Sequence, residues 1–163
     1  MLLRDVAGLY VYDNTLLAIK LTGAQIKDYL EYSAKYFNQL APGAPVDVAT
    51  LTNASGTPDY NYDQLSGVSY DIDVSKPVGQ RIANLTYDGQ PVPAGKEFVV
   101  AINNYRQSGG GGFPHVTTAP VLYNAQVEIR QALIEYATAK GTIDPADFAA
   151  PNWRLTREGV PVF

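Results

Sequence analysis

Apolar and polar positions along the chain predict four strands. Residues 15–21 are mostly apolar, as is typical of a buried strand. In residues 68–74 every second side chain is apolar, which is the period of a half-exposed strand. Residues 81–87 predict a third strand, and the Asp88-Gly89 pair after it indicates a tight hairpin turn. Residues 97–102 are apolar and rich in β-formers, so they predict a fourth, buried strand.

Helical spacing predicts two main helices. Residues 22–25 (TGAQ) match a capping box, in which a threonine hydroxyl and a glutamine side chain bond backbone amides at the helix start. The apolar residues that follow recur at helical spacing and predict a helix to about residue 40: Ile26, Leu30, Ala34 and Phe37. A second helix is predicted over residues 121–140, ended by Gly141. Because strands and helices do not alternate regularly, we predict an α+β fold with a mixed sheet and two main helices.

Length, composition and charge limit the class of protein. The chain has 163 residues, 46% of them hydrophobic and 17% charged, as expected for one folded domain. Its net charge of −4 argues against a nucleic-acid polymer as partner, since phosphate backbones are bound by basic surfaces. There is no cysteine, which excludes disulfides and thiolate chemistry. Charged residues interrupt the first 21 positions, so we predict no signal peptide or membrane span in this segment.

Residues 100–114 (VAINNYRQSGGGGFP) are the strongest candidate for a site. The predicted strand turns polar, presents Tyr105 and Arg106, and continues into four glycines. Ligand sites are frequent where strands end, and glycine lets the backbone approach a ligand closely because it has no Cβ. A strand followed by a flexible surface loop fits the same residues. No lysine follows the glycines, so this is not a phosphate-binding loop of the P-loop type.

Groups for catalysis are sparse. A dimetal phosphoesterase centre needs several His, Asp and Asn ligands, whereas the chain has one histidine, His115. A Ser-His-Asp arrangement around this histidine is formally possible, but the nucleophile-elbow motif is absent. The pairs Asp71/Asp73 and Asp144/Asp147 are interpreted as solvated faces. We therefore predict no catalytic residue and no metal site here, and a chain that binds rather than performs chemistry alone.

Three segments together resemble the C-terminal domain of the 5′-nucleotidase family. They are residues 9–16 (LYVYDNTL), 21–30 (LTGAQIKDYL) and 102–106 (INNYR) with the glycines that follow. Residues 58–63 (PDYNYD) and 76–82 (KPVGQRI) point, within that family, to the bacterial 2′,3′-cyclic-nucleotide 2′-phosphodiesterase/3′-nucleotidases. The resemblance covers nearly the whole chain.

The resemblance implies how the chain is used. In this family an N-terminal metallophosphoesterase domain carries two divalent metal ions and the reaction, and the C-terminal domain binds the nucleoside. Residues 1–163 would then be a single substrate-binding domain, excised from a longer chain, that has no cofactor of its own. Its partners would be a nucleotide or nucleoside (2′,3′-cyclic, 3′- or 5′-phosphate) and the metallophosphoesterase domain in cis. The implied location is extracellular, in the cell wall or periplasmic.

The resemblance also assigns roles to residues. Tyr12 and Tyr105 match the two aromatic residues that hold the base between their rings, although from the residues alone Tyr12 also fits a core position. Asn14 matches an asparagine that hydrogen-bonds the base edge. The 5′-nucleotidase members carry an aspartate where this chain has Gly111, and its absence favours substrates with phosphate on the ribose 2′ and 3′ oxygens, which a carboxylate would repel. The predicted substrate-binding set is completed by Asn104, Gly109, Gly110 and Gly111.

Two other hypotheses remain open. The chain could be a non-catalytic ligand-binding or adhesion module on the same fold, or a self-contained enzyme that uses His115. A metal-ligand-rich domain upstream in the native reading frame would distinguish the phosphoesterase from the binding module.

Overall fold

The computed structural model of the protein describes Asp5 and residues 8–163. In this part of the chain the strands are β1 (Leu16–Thr22), β2 (Ser69–Asp73), β3 (Ile82–Tyr87), β4 (Gln90–Pro91), β5 (Glu97–Asn103), β6 (Val121–Tyr123), β7 (Trp153–Arg157) and β8 (Val160–Pro161). The helices are α1 (Gly23–Ser33), α2 (Val48–Leu51), α3 (Asn104–Gln107) and α4 (Ile129–Lys140).

The described residues form two compact units. The five-stranded unit comprises Thr22–Glu97 and Pro151–Phe163, and the three-stranded unit comprises the described residues up to Leu21 together with Phe98–Ala150. In the five-stranded unit the strand order is β4-β3-β2-β7-β8, with β2 and β7 parallel and the other pairs antiparallel. This mixed sheet, together with the two longer helices α1 and α4, confirms the predicted α+β class.

Helix α1 begins at the predicted capping box. Thr22 Oγ1 accepts a hydrogen bond from the Gln25 backbone amide (3.3 Å), and the Thr22 amide donates to Gln25 Oε1 (2.8 Å). The helix is shorter than predicted, because it ends at Ser33 and continues only as a single 3-10 turn, Ala34–Tyr36. Phe37 then adopts an extended backbone and packs its ring in the core, so its apolar character reflects burial beyond the helix.

A buried polar network ties the end of α1 to the start of β3. The Glu31 carboxylate accepts hydrogen bonds from the backbone amides of Arg81 and Ile82, both at 2.8 Å. Burial lowers the pKa of the Arg81 guanidinium, and the negative charge of Glu31 opposes that effect. Arg81 is only 2% exposed. Its guanidinium donates to three backbone carbonyls: Lys76 (3.0 Å), Ala34 (2.8 Å) and Phe37 (2.7 Å).

The interpretation of Asp71 and Asp73 as a solvated face is wrong, because both residues are buried. Asp71 accepts hydrogen bonds from Arg154 Nε and Asn84 Nδ2, each at 2.7 Å. Asp73 accepts from the backbone amide (3.0 Å) and hydroxyl (2.6 Å) of Ser75. Burial works against ionisation of these carboxyls, but their hydrogen bonds outweigh it and lower the pKa of both.

The sheet of the three-stranded unit has the order β5-β1-β6. Strand β1 buries alternate residues, Leu17, Ile19 and Leu21. Strand β5 forms as predicted, but its predicted burial is wrong: the side chains alternate between exposed and half-buried, and Val99 is 69% exposed.

The predicted helix over residues 121–140 is correct only in its second part. Val121–Tyr123 form β6, which pairs antiparallel with β1, and the helix begins at Ile129. Valine and tyrosine are strong β-formers, and pairing with β1 satisfies the backbone N–H and C=O groups of this segment. The helical spacing of its apolar residues does not reveal that pairing. Beyond α4, Asp144 and Asp147 are exposed, as predicted.

The part of the chain that the structure describes contains no helix with the length and apolar character needed to cross a bilayer.

Candidate functional site

The candidate site lies in the three-stranded unit, where β5 passes into α3. Asn103 Oδ1 accepts a hydrogen bond from the Arg106 backbone amide (2.7 Å) and so caps α3. This cap explains why an apolar strand changes abruptly into a helical turn. Tyr105 lies in that turn with 47% of its surface exposed.

Asn104 joins α3 to the segment that carries the other predicted ring. Its backbone amide donates to the Thr15 carbonyl (3.0 Å), and its Oδ1 accepts from the Thr15 amide (2.9 Å). Thr15 follows directly after residues 10–14, which we call the Tyr10 loop. The side-chain oxygen of Asn104 is therefore used to hold two predicted site segments together.

Tyr12 is 58% exposed in the Tyr10 loop, so neither predicted stacking ring is packed in the core. The Tyr10 and Tyr12 rings form a T-shaped pair, with centroids 6.2 Å apart and planes at 81°. The Tyr10 hydroxyl accepts hydrogen bonds from Asn14 Nδ2 (2.9 Å) and Asn103 Nδ2 (3.3 Å). This role of Tyr10 was not predicted, because its only signal in the sequence is its place in the LYVYDNTL segment.

The glycine run supports the Tyr105 ring. A Cβ added to Gly110 would lie 2.4 Å from Cε1 and Cζ of Tyr105, so the ring lies directly against the Gly110 backbone. The Gly110 carbonyl accepts a hydrogen bond from Arg106 Nη1 (2.7 Å). The Arg106 guanidinium is buried and stacks over the Phe113 ring at 4.2 Å. One side of the Tyr105 ring is thus backed by a braced loop.

The three other glycines of the run need a left-handed backbone. Gly109, Gly111 and Gly112 have φ of +105°, +76° and +73°, and the Gly112 amide closes the turn by donating to the Gly109 carbonyl (3.0 Å). A residue with a side chain is strained at such angles. The run is therefore an ordered turn beside Tyr105.

The site offers exposed aromatic faces and side-chain amides, which suit recognition of a planar polar ligand. Among the described residues, no group of three or more His, Cys, Asp or Glu side chains is arranged to hold a metal ion.

The Gly110→Ala variant is expected to displace the Tyr105 ring, because the new Cβ would lie 2.4 Å from Cε1 and Cζ of that ring. The shift of the Tyr105 ring resonances in the NMR spectrum measures the displacement. Gly95→Ala is the matched control, since a Cβ at Gly95 meets nothing within 4 Å. Equal Tyr105 ring shifts in the two variants would show that Gly110 does not set the position of the ring.

Comparison with known proteins identifies the family. A family model described as 5′-nucleotidase, C-terminal domain, matches residues 2–118, and the chain belongs to this family. It is 41% identical over 165 residues to the trifunctional nucleotide phosphoesterase protein YfkN of Bacillus subtilis, covering 94% of this chain and 11% of the relative. It is 37% identical to the 2′,3′-cyclic-nucleotide 2′-phosphodiesterase/3′-nucleotidase of Haemophilus influenzae, covering 93% of this chain and 25% of the relative.

Solved structures agree with this assignment. A Staphylococcus aureus protein described as a 5′-nucleotidase, in complex with α-ketoglutarate, is 31% identical with a TM-score of 0.74, over 93% of this chain and 29% of that chain. The NAD nucleotidase of Haemophilus influenzae shares the fold at 13% identity, with a TM-score of 0.66 over 96% of this chain and 26% of that chain. These findings confirm the resemblance predicted from sequence. They also show that the chain spans a quarter or less of the length of the two relatives named above.

Proposed function

We propose that the chain is the nucleoside-binding domain of a nucleotide phosphoesterase, and that Tyr12 and Tyr105 hold the nucleobase between their rings. The main support for this proposal is that both rings are exposed on neighbouring segments. Asn104 and Thr15 join these two segments by a pair of hydrogen bonds. Stacking on an aromatic face contributes about 1–3 kcal/mol per base and accepts any base. Two rings therefore give binding in the micromolar to millimolar range with weak base preference.

The other predicted residues take supporting roles in this proposal. Asn14 hydrogen-bonds the base edge, and its contact with the Tyr10 hydroxyl orients its amide. Asn104 positions the two ring-bearing segments relative to each other through Thr15. The glycines Gly109, Gly110 and Gly111 let the backbone come close to the ribose, and Gly110 also backs the Tyr105 ring.

The chemistry belongs to a second domain in this proposal. An N-terminal metallophosphoesterase domain with two divalent metal ions hydrolyses the phosphoester, while the present chain, as a single substrate-binding domain, holds the nucleoside. A nucleotide substrate is supported by the names of the similar proteins: 2′,3′-cyclic or 3′-phosphorylated by the Haemophilus influenzae relative, and 5′-phosphorylated by the Staphylococcus aureus structure. We place the parent protein outside the cytoplasm, in the periplasm, the cell wall or the medium, on the family resemblance alone.

The isolated chain is expected to bind adenosine but to release no phosphate from 3′-AMP and to leave 2′,3′-cyclic AMP unopened, even with manganese present. One histidine cannot position a metal-activated hydroxide. Calorimetric titration and a phosphate-release assay measure the two halves of this prediction. Turnover that survives repurification and disappears in the His115→Ala variant would contradict the proposal that catalysis belongs to a second domain. Absence of adenosine binding would contradict the proposed function.

Gly111→Asp, in a protein that joins this chain to the metal-bearing domain, is expected to impair hydrolysis of 2′,3′-cyclic AMP more than that of 5′-AMP. A carboxylate near the ribose edge repels phosphate on the 2′ and 3′ oxygens. The uncharged Gly111→Asn variant is the control, because asparagine has the same shape and tolerates the left-handed backbone equally. If both variants affect the two substrates alike, charge at this position does not select the substrate.

A further inference from the structure

We propose that Arg130, at the start of α4, is a positioning residue that fixes the Tyr10 loop and thereby holds the Tyr12 ring in place for stacking. The inference rests on the proposed function, since it concerns how one of the two stacking rings is oriented. Nothing in the sequence suggested Arg130, which lies more than a hundred residues from the loop along the chain.

The guanidinium of Arg130 contacts the loop on both sides of Tyr12. Nε donates to the Tyr10 carbonyl (3.0 Å), and Nη2 donates to the Val11 carbonyl (3.1 Å) and to Asp13 Oδ1 (2.8 Å). One planar group therefore bonds the two residues before Tyr12 and the one after it. Backbone motion that would turn the Tyr12 ring breaks at least one of these bonds.

The two carbonyl contacts carry most of this restraint. The Asp13 side chain is 88% exposed, so its ion pair with Arg130 is screened by water and contributes little. The Arg130 side chain is only 29% exposed, and its contacts with backbone carbonyls follow the backbone conformation directly. Lysine cannot reproduce them, because its ammonium lacks the planar arrangement of donors that reaches several acceptors at once.

The base of the Tyr10 loop is held separately. The Ile129 amide donates to the Asn14 carbonyl (2.9 Å), and Thr15 and Glu128 form an isolated antiparallel bridge. These contacts do not involve the Arg130 side chain. Loss of that side chain therefore removes the restraint on the Tyr10 and Val11 carbonyls, while the chain on the C-terminal side of the loop stays anchored, which predicts weaker binding without unfolding.

The test compares Arg130→Met, Arg130→Lys and Asp13→Asn in the chain labelled with 13C in its tyrosine rings, with adenosine as the probe. We expect Arg130→Met to weaken adenosine binding by about tenfold, as for the loss of one stacking face, and Arg130→Lys to give an intermediate loss. Asp13→Asn is expected to change affinity by less than about threefold, because an exposed ion pair contributes little. Lys140→Met is the matched control, since Lys140 is an exposed cation on the same helix, paired with Asp147.

The tyrosine spectra separate positioning from general stability. In Arg130→Met the Tyr12 ring resonances are expected to shift or broaden, while those of Tyr105 and the unfolding temperature stay close to their original values. Unchanged adenosine affinity in Arg130→Met would overturn the inference about Arg130 but not the proposed function. Unfolding of Arg130→Met combined with normal binding by Arg130→Lys would also overturn it, by showing a purely structural role. Absence of adenosine binding by the unsubstituted chain would overturn the proposed function, and this inference with it.

Discussion

Replacement of Arg81 by methionine is expected to lower the free energy of unfolding by about 3 kcal/mol or more, because each buried polar group that loses its partner costs about 1–3 kcal/mol. The substitution removes the guanidinium donor from the carbonyls of Lys76, Phe37 and Ala34, of which Ala34 keeps the Phe37 amide as a donor. It also removes the positive charge near the buried Glu31 carboxylate. Methionine fills much of the same volume, so the loss reflects the polar contacts. Denaturant unfolding followed by circular dichroism measures it.

Two comparisons make the Arg81 prediction specific. Lys140→Met removes an exposed cation and is expected to cost less than about 1 kcal/mol. Glu31→Gln is also expected to be clearly destabilising. The Glu31 carboxylate accepts from two backbone amides, and the NH₂ group of glutamine would place a donor opposite one of them. If Arg81→Met costs no more than Lys140→Met, the network does not stabilise the five-stranded unit.

Tyr105→Ala, in a protein that joins this chain to the proposed metallophosphoesterase domain, is expected to raise KM for nucleotides by about tenfold or more. The ring that the Gly110 backbone supports is lost, and with it one face of the proposed base sandwich. Tyr105→Phe is expected to change KM little, because the ring and not the hydroxyl stacks on the base. Steady-state kinetics with 3′-AMP measure both variants.

A substrate without a base distinguishes stacking from a structural role. Hydrolysis of p-nitrophenyl phosphate is expected to be much less affected by Tyr105→Ala, since this ester has no nucleobase. Tyr136→Ala is the matched control, because Tyr136 is a half-exposed tyrosine of the same unit that lies on α4. An equal loss on nucleotide and simple ester would mean that Tyr105 supports the fold and does not stack on a base.

Local features of the fold could be predicted from sequence because their physical causes are local. The capping box at Thr22 and Gln25 places both partners within three residues, so a short pattern identifies the start of α1. The change from apolar to polar at Asn103 likewise predicted the end of β5. The polar side chains that follow the strand were predicted to form a ligand site, but the sequence does not show which residues they contact.

Features set by contacts between distant residues could not be predicted in this way. Asp71 is paired with Arg154, 83 residues away, and the strand at Val121–Tyr123 depends on pairing with β1. Helical periodicity could not reveal that pairing. The bracing of the Tyr10 loop by Arg130 is of the same kind, since only the folded chain brings those residues together.

The most direct test of the base sandwich is a map of nuclear Overhauser effects between adenosine and the tyrosine rings of the chain. We expect contacts from adenine H2 or H8 to both Tyr12 and Tyr105, with upfield shifts of the base protons because they lie between two aromatic faces. Loss of either ring in Tyr12→Ala or Tyr105→Ala should reduce those shifts. Contacts to only one of the two rings, or to neither, would contradict the sandwich.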